Sequence, residues 1–130
     1  MSTVSVRYIV SSVEDAIAFY RDHLGFEVLM HPDPAFAMLT RGDLRLLLAS
    51  PVPAEHRGGG SRPMPDGTTQ GPGGWNRIML ETPDLAAAVE RLRAAGLSFR
   101  NDIVTGVGSS QILLEDPSGN PVELFEPRRA

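Results

Sequence analysis

The residues of this chain that could do chemistry are few and scattered. Cysteine is absent from its 130 residues, so disulfides, thiolate nucleophiles and thiolate metal sites are excluded, and any metal would need histidine or carboxylate ligands. The three histidines are His23, at the end of a helical pattern, His31, among prolines, and His56, in a Gly/Pro-rich stretch. None pairs on one face with a second histidine or a carboxylate, and helix-terminal His23 reads as a surface group. Ser109 and Ser110 have no nearby histidine to act as a base. Gly58-Gly59-Gly60 lacks the strand–turn–helix context of a dinucleotide site, and neither a G-x-S-x-G elbow nor a P-loop occurs.

Composition narrows the partners. The formal charge is −4 and no basic block exists, which argues against nucleic acid and anionic membrane. Apolar residues make up 42% of the chain, an ordinary globular share. No apolar run approaches the roughly 18 residues of a membrane span, and the N-terminus lacks the pattern of a signal peptide, so a cytoplasmic protein is expected.

The elements that must position any site come in a repeated order. Residues 4–10 are β-branched and aromatic and predict a strand. Ser12 can cap a helix whose face carries Val13, Ile17, Tyr20 and Leu24, and Gly25 ends it. Strands are expected at Phe26–Met30, Phe36–Thr40 and Leu44–Ala49, with turns at His31–Pro34 and Arg41–Asp43. The second half repeats this: a strand at Trp75–Glu81, and a helix start at Thr82-Pro83-Asp84 with proline in the first helical position. Leu85, Ala88, Val89 and Leu92 give that helix an apolar face, and Gly96 closes it. Strands near Ser98–Val104, Ser110–Glu115 and Val122–Glu126 follow, the last two joined by a turn at residues 116–120. The expected fold is α+β: two tandem βαβββ modules, residues 1–50 and 75–130, forming one domain. The Gly/Pro-rich segment 51–74 between them is either a linker or a loop over a site.

Two segments carry a family resemblance. Ala16-Ile17-Ala18-Phe19-Tyr20-Arg21-Asp22-His23-Leu24-Gly25-Phe26 resembles the first-helix signature of the vicinal oxygen chelate superfamily, and Glu115-Asp116-Pro117-Ser118-Gly119-Asn120-Pro121-Val122-Glu123-Leu124 resembles its last hairpin. That superfamily includes glyoxalase I, extradiol dioxygenases, fosfomycin-modifying transferases and bleomycin-resistance proteins. The resemblance implies sheets curled into half-barrels around a groove, helices outside, often with the ligand site at a homodimer interface. It fits the physics, because a four-stranded sheet with one helix buries only one face.

The resemblance also implies where a metal would sit. Enzymes of the superfamily draw ligands from the first, fourth, fifth and eighth strands, and the metal polarises neighbouring substrate oxygens. Aligned on the two helices, those positions carry Ser5, Leu46 or Leu47, Arg77 and Glu123. One carboxylate cannot hold a divalent metal, and Arg77 would oppose one, so neither metal nor cofactor is expected. Glu123 then either contacts a ligand, such as an amine, or forms an ion pair with Arg7 or Arg77, the usual solution for a buried carboxylate.

Strand alternation supplies the remaining candidates. Trp75, Arg77 and Met79 share one face of the fifth strand, Phe36 and Met38 of the third, and Glu123 and Phe125 of the last, with Gln111 and Leu113 beside them. The expected ligand-binding set is therefore Arg7, Phe36, Met38, Trp75, Arg77, Met79, Gln111, Glu123 and Phe125, with no catalytic residue. An aromatic and methionine lining suits a flat apolar ligand, although ordinary core or dimer packing would use the same residues. The best-fitting function is a metal-free homodimer that sequesters an aromatic antibiotic or metabolite. A lyase, isomerase or dioxygenase, with an unusual metal site or with Glu123 as a base, is the alternative.

Overall fold

The computed structural model describes residues 3–128. The N-terminal reading that includes Met1 and Ser2 lies outside the described residues. Eleven elements follow in order: β1 (Val4–Ile9), α1 (Val13–Leu24), β2 (Glu27–Asp33), β3 (Phe36–Arg41), β4 (Leu44–Ala49), β5 (Ile78–Glu81), α2 (Leu85–Ala94), β6 (Ser98–Phe99), β7 (Val104–Thr105), β8 (Ser109–Glu115) and β9 (Pro121–Pro127). They form an α+β fold of two βαβββ modules with unclosed mixed sheets, as expected. The chain divides into two compact units between Gly73 and Gly74, so all of the Gly/Pro-rich segment but Gly74 belongs to the first. No described helix is long and apolar enough to cross a membrane.

In the first unit α1 is set by its ends. The Ser12 side chain accepts the Asp15 N–H at 3.2 Å, and Glu14 and Asp15 sit where the helix dipole favours negative charge. Gly25, at φ 73°, turns the chain out of the helix in a conformation that disfavours a side chain. Val13, Ala16, Ile17, Tyr20 and Leu24 are buried, and Tyr20 meets Tyr8, Phe19 and Phe26 edge-on with centroids 6.5, 4.9 and 5.5 Å away. The sheet runs β1-β4-β3-β2, with β1 parallel to β4 and the other pairs antiparallel. Its register separates two faces. Tyr8, Leu48 and Ala37 align and are buried, as are Leu46 and Leu39. Arg7, Leu47 and Met38 align on the opposite face, followed by Ile9, Ala49 and Phe36.

The second unit repeats the plan with the order β5-β9-β8-β6, and β7 also pairs with β8. Ile78, Val122, Leu124, Ile112 and Leu114 are buried on the face shared with Leu85, Ala88, Val89 and Leu92 of α2. On the other face Met79, Glu123 and Leu113 align, and Glu81, Phe125 and Gln111 form the next row. The first turn of α2 contains no acidic residue; Glu126 of β9 supplies one from outside, its carboxylate accepting the Leu85 N–H at 3.0 Å.

Four local expectations need correction. The fifth strand begins at Ile78, so Trp75 and Arg77 precede it and strand alternation does not orient Trp75. His31, Pro32 and Asp33 continue β2 and the turn is Pro34–Ala35, where Asp33 Oδ1 accepts the Ala35 N–H at 2.7 Å. β2 is an edge strand, which tolerates the missing proline N–H. Asp84 caps α2, so Pro83 lies before the cap rather than in the first turn. The segment Ser98–Val104 breaks into β6 and β7, where the Asn101 side-chain oxygen accepts the Leu113 N–H at 2.9 Å in place of a backbone carbonyl.

Candidate functional site

In the first unit, the face opposite α1 is walled by chain 52–61 to form a cavity of about 300 Å³. Pro32, Asp33, Ala35, Phe36, Ala49 and Arg7 contribute from the sheet side, and Val52, His56, Gly58, Gly59, Gly60 and Ser61 from the loop. The loop is tied to itself and to the end of β4. Ser61 is buried, and its Oγ donates to the Ser50 carbonyl at 2.7 Å while the Val52 N–H reaches the Ser61 carbonyl at 3.3 Å. Gln70 Nε2 donates to the carbonyls of Gly60 and Arg62 at 3.1 and 3.0 Å. Gly60 lies so close to the Arg7 guanidinium that a Cβ there would collide with it. Of the sequence candidates, Arg7 and Phe36 line this cavity; Met38 lies one row away, beside Leu47. Sequence reasoning missed the loop residues, because a segment without periodicity gives no face to read.

In the second unit the deciding group is Glu123. It is buried, with 7% of its side chain exposed, and Arg77 holds its Oε1 through Nε at 3.0 Å and Nη2 at 2.9 Å. The third guanidinium nitrogen, Nη1, donates to the Trp75 carbonyl at 3.1 Å. The expected ion pair therefore forms, and its partner is Arg77 rather than Arg7. Met79, Gln111 and Phe125 lie on the same sheet face as Glu123. Trp75 instead lies beneath the Arg100 guanidinium, 4.7 Å from the ring centre. Arg100 also bonds Glu115 Oε2, the Gly74 carbonyl and the Gly119 carbonyl, each at 2.9 Å, so Trp75 is part of a clasp within this unit.

The last turn is built around Asp116. Its Oδ1 accepts the N–H groups of Ser118 and Asn120 at 2.9 Å each, and its Oδ2 accepts the Asn120 amide at 3.1 Å. Gly119 supplies the positive φ, 86°, that the turn needs. This turn leads β8 into β9 and so sets the register that carries Glu123 opposite Leu113.

The residues do not fit the metal that the fold family suggests. Among the described residues no three His, Asp or Glu side chains come together. Ser5 and both leucine alternatives offer no adequate ligand, Leu46 being buried in the helix-facing row. The one carboxylate is already neutralised by the guanidinium of Arg77, just ahead of β5.

Comparison with known proteins places this geometry. Solved structures with the same fold include a lactoylglutathione lyase from Agrobacterium tumefaciens, 23% identical with a TM-score of 0.72, over 96% of this chain and 92% of that one. A superfamily member from Sphaerobacter thermophilus is 28% identical with a TM-score of 0.70, over 97% of each chain. The antibiotic-binding protein TnmS3 from a Streptomyces species is 25% identical with a TM-score of 0.70, over 98% of this chain and 97% of that one. No curated protein matches the chain. The family model for the glyoxalase/bleomycin resistance protein/dioxygenase superfamily matches residues 3–124, and the chain belongs to that superfamily.

Proposed function

We propose that this protein binds a small aromatic molecule without a metal, sequestering an antibiotic or metabolite in the cytoplasm as a homodimer. The observation that carries the reading is the Arg77–Glu123 pair. It neutralises the one carboxylate at a position where metal-dependent relatives need a ligand. A buried carboxylate held by two guanidinium nitrogens is also a poor general base, since taking a proton would break the pair. Binding, in contrast, needs a complementary cavity and slow release, and the first unit offers one with Phe36, Ala49 and Val52 in its wall. The likeness to an antibiotic-binding protein supports the ligand class.

The test is calorimetric titration of the purified protein with a panel of aromatic antibiotics, with elemental analysis of the same sample. A stoichiometric complex released chemically unchanged from metal-free protein is expected. Stoichiometric Zn, Fe, Mn or Ni, or turnover of the bound compound, would overturn the reading.

A further inference from the structure

One cation in the wall of the first unit's cavity has no protein partner. Arg7 lines the cavity, yet among the described residues its side chain makes no hydrogen bond, ion pair or ring contact. Its place is set by shape: the guanidinium packs against Gly60, which has no side chain to displace it. His56 lies in the same wall, its Nδ1 taken up by Gly58, whose N–H and carbonyl are 3.0 and 3.3 Å away. The carboxylate of the wall, Asp33, has Oδ1 engaged by the Ala35 N–H and forms no ion pair with Arg7. The rest of the sheet-side wall is apolar: Pro32, Ala35, Phe36 and Ala49.

A planar guanidinium with all its donors available, set beside apolar surface, is suited to an oxyanion such as a carboxylate or sulfonate, two of whose oxygens it can meet through parallel N–H···O bonds. We infer that Arg7 makes this cavity selective for flat aromatic molecules bearing an anionic group over neutral molecules of the same shape. The inference rests on the binding function proposed above and adds the charge of the ligand.

Two fluorescent probes test it. 8-Anilinonaphthalene-1-sulfonate and N-phenyl-1-naphthylamine share one aromatic body and differ in the sulfonate. The wild-type protein binds the sulfonate about tenfold more tightly, the size expected of charge-assisted hydrogen bonds. Arg7→Gln removes that preference, bringing the affinities for the two probes to within about twofold of each other. The fold tolerates it, because Arg7 has no protein partner to lose. Arg7→Lys keeps part of the preference, and Gly60→Ala, which displaces the guanidinium without removing it, reduces it. Equal binding of both probes by the wild type, or a preference that survives Arg7→Gln, overturns the selectivity while leaving the binding function standing. Failure of both probes to bind overturns the binding function and the selectivity with it.

Discussion

Arg77 places two of its nitrogens on a single oxygen of Glu123, at 2.9 and 3.0 Å, and the carboxylate is almost wholly buried while the arginine side chain keeps 32% of its surface. Removing the arginine leaves a buried charge without its partner; removing both leaves space that apolar groups can fill. Arg77→Leu is therefore expected to cost about 2 kcal/mol in urea unfolding, less than the loss of a fully buried pair because Arg77 is partly hydrated. The double variant Arg77→Leu/Glu123→Leu recovers most of that loss. Additive losses would show that the two side chains do not act as a pair.

The same pair governs the response to metals. A divalent ion that bound the native state would raise the melting temperature by mass action. Excess Zn, Ni, Mn or Fe(II) is expected to shift it by less than about 1 °C, and chelator treatment likewise. A saturable rise with any of these ions would contradict the reading.

Arg100 serves three acceptors and one ring. Its side chain is only 18% exposed, and its bonds to Glu115 and Gly119 are part-buried. Arg100→Ala is expected to lower stability by about 2 kcal/mol and to change Trp75 emission, as the indole loses its cation. Arg100→Lys restores less than half, because one ammonium cannot reach all three directions. An unchanged emission spectrum in Arg100→Ala would rule out the clasp.

Asp116 is buried and accepts three bonds within its own turn. Asp116→Ala should cost about 2–3 kcal/mol, because the Ser118 and Asn120 donors lose their acceptor. Asp116→Asn, which retains one acceptor oxygen, should fall between the two. Amide hydrogen exchange at Asn120 checks the local assignment, since its protection depends on the Asp116 carboxylate.

Much of the architecture could be read from periodicity, because both helices and most strands bury one face and expose the other. Val13, Ile17, Tyr20 and Leu24 announce α1 at helical spacing, and Ser12 and Gly25 mark its ends. The shared face of Met79, Gln111, Glu123 and Phe125 followed from alternation alone. Alternation extends β5 back to Trp75 because an aromatic ahead of a strand looks like its first residue; the Arg100 contact on its ring is distant in sequence and outside any pattern of spacing. The choice between Arg7 and Arg77 as partner of Glu123 is likewise closed to a reading by pattern, since each is an arginine in or just before the first strand of its module. The loop wall of the cavity is set by bonds such as Gln70 to Gly60, which leave no periodic trace.

The loop that walls the cavity has a consequence for how such a protein can change over generations. Six of the twelve lining residues belong to chain 52–61, and of these only Ser61 is buried. Substitutions at Val52 or His56 would alter the shape and polarity presented to a guest while leaving the aromatic packing around Tyr20 and the strand register untouched. A lineage built this way can shift from one compound to another by small surface changes, with little risk to folding at each step.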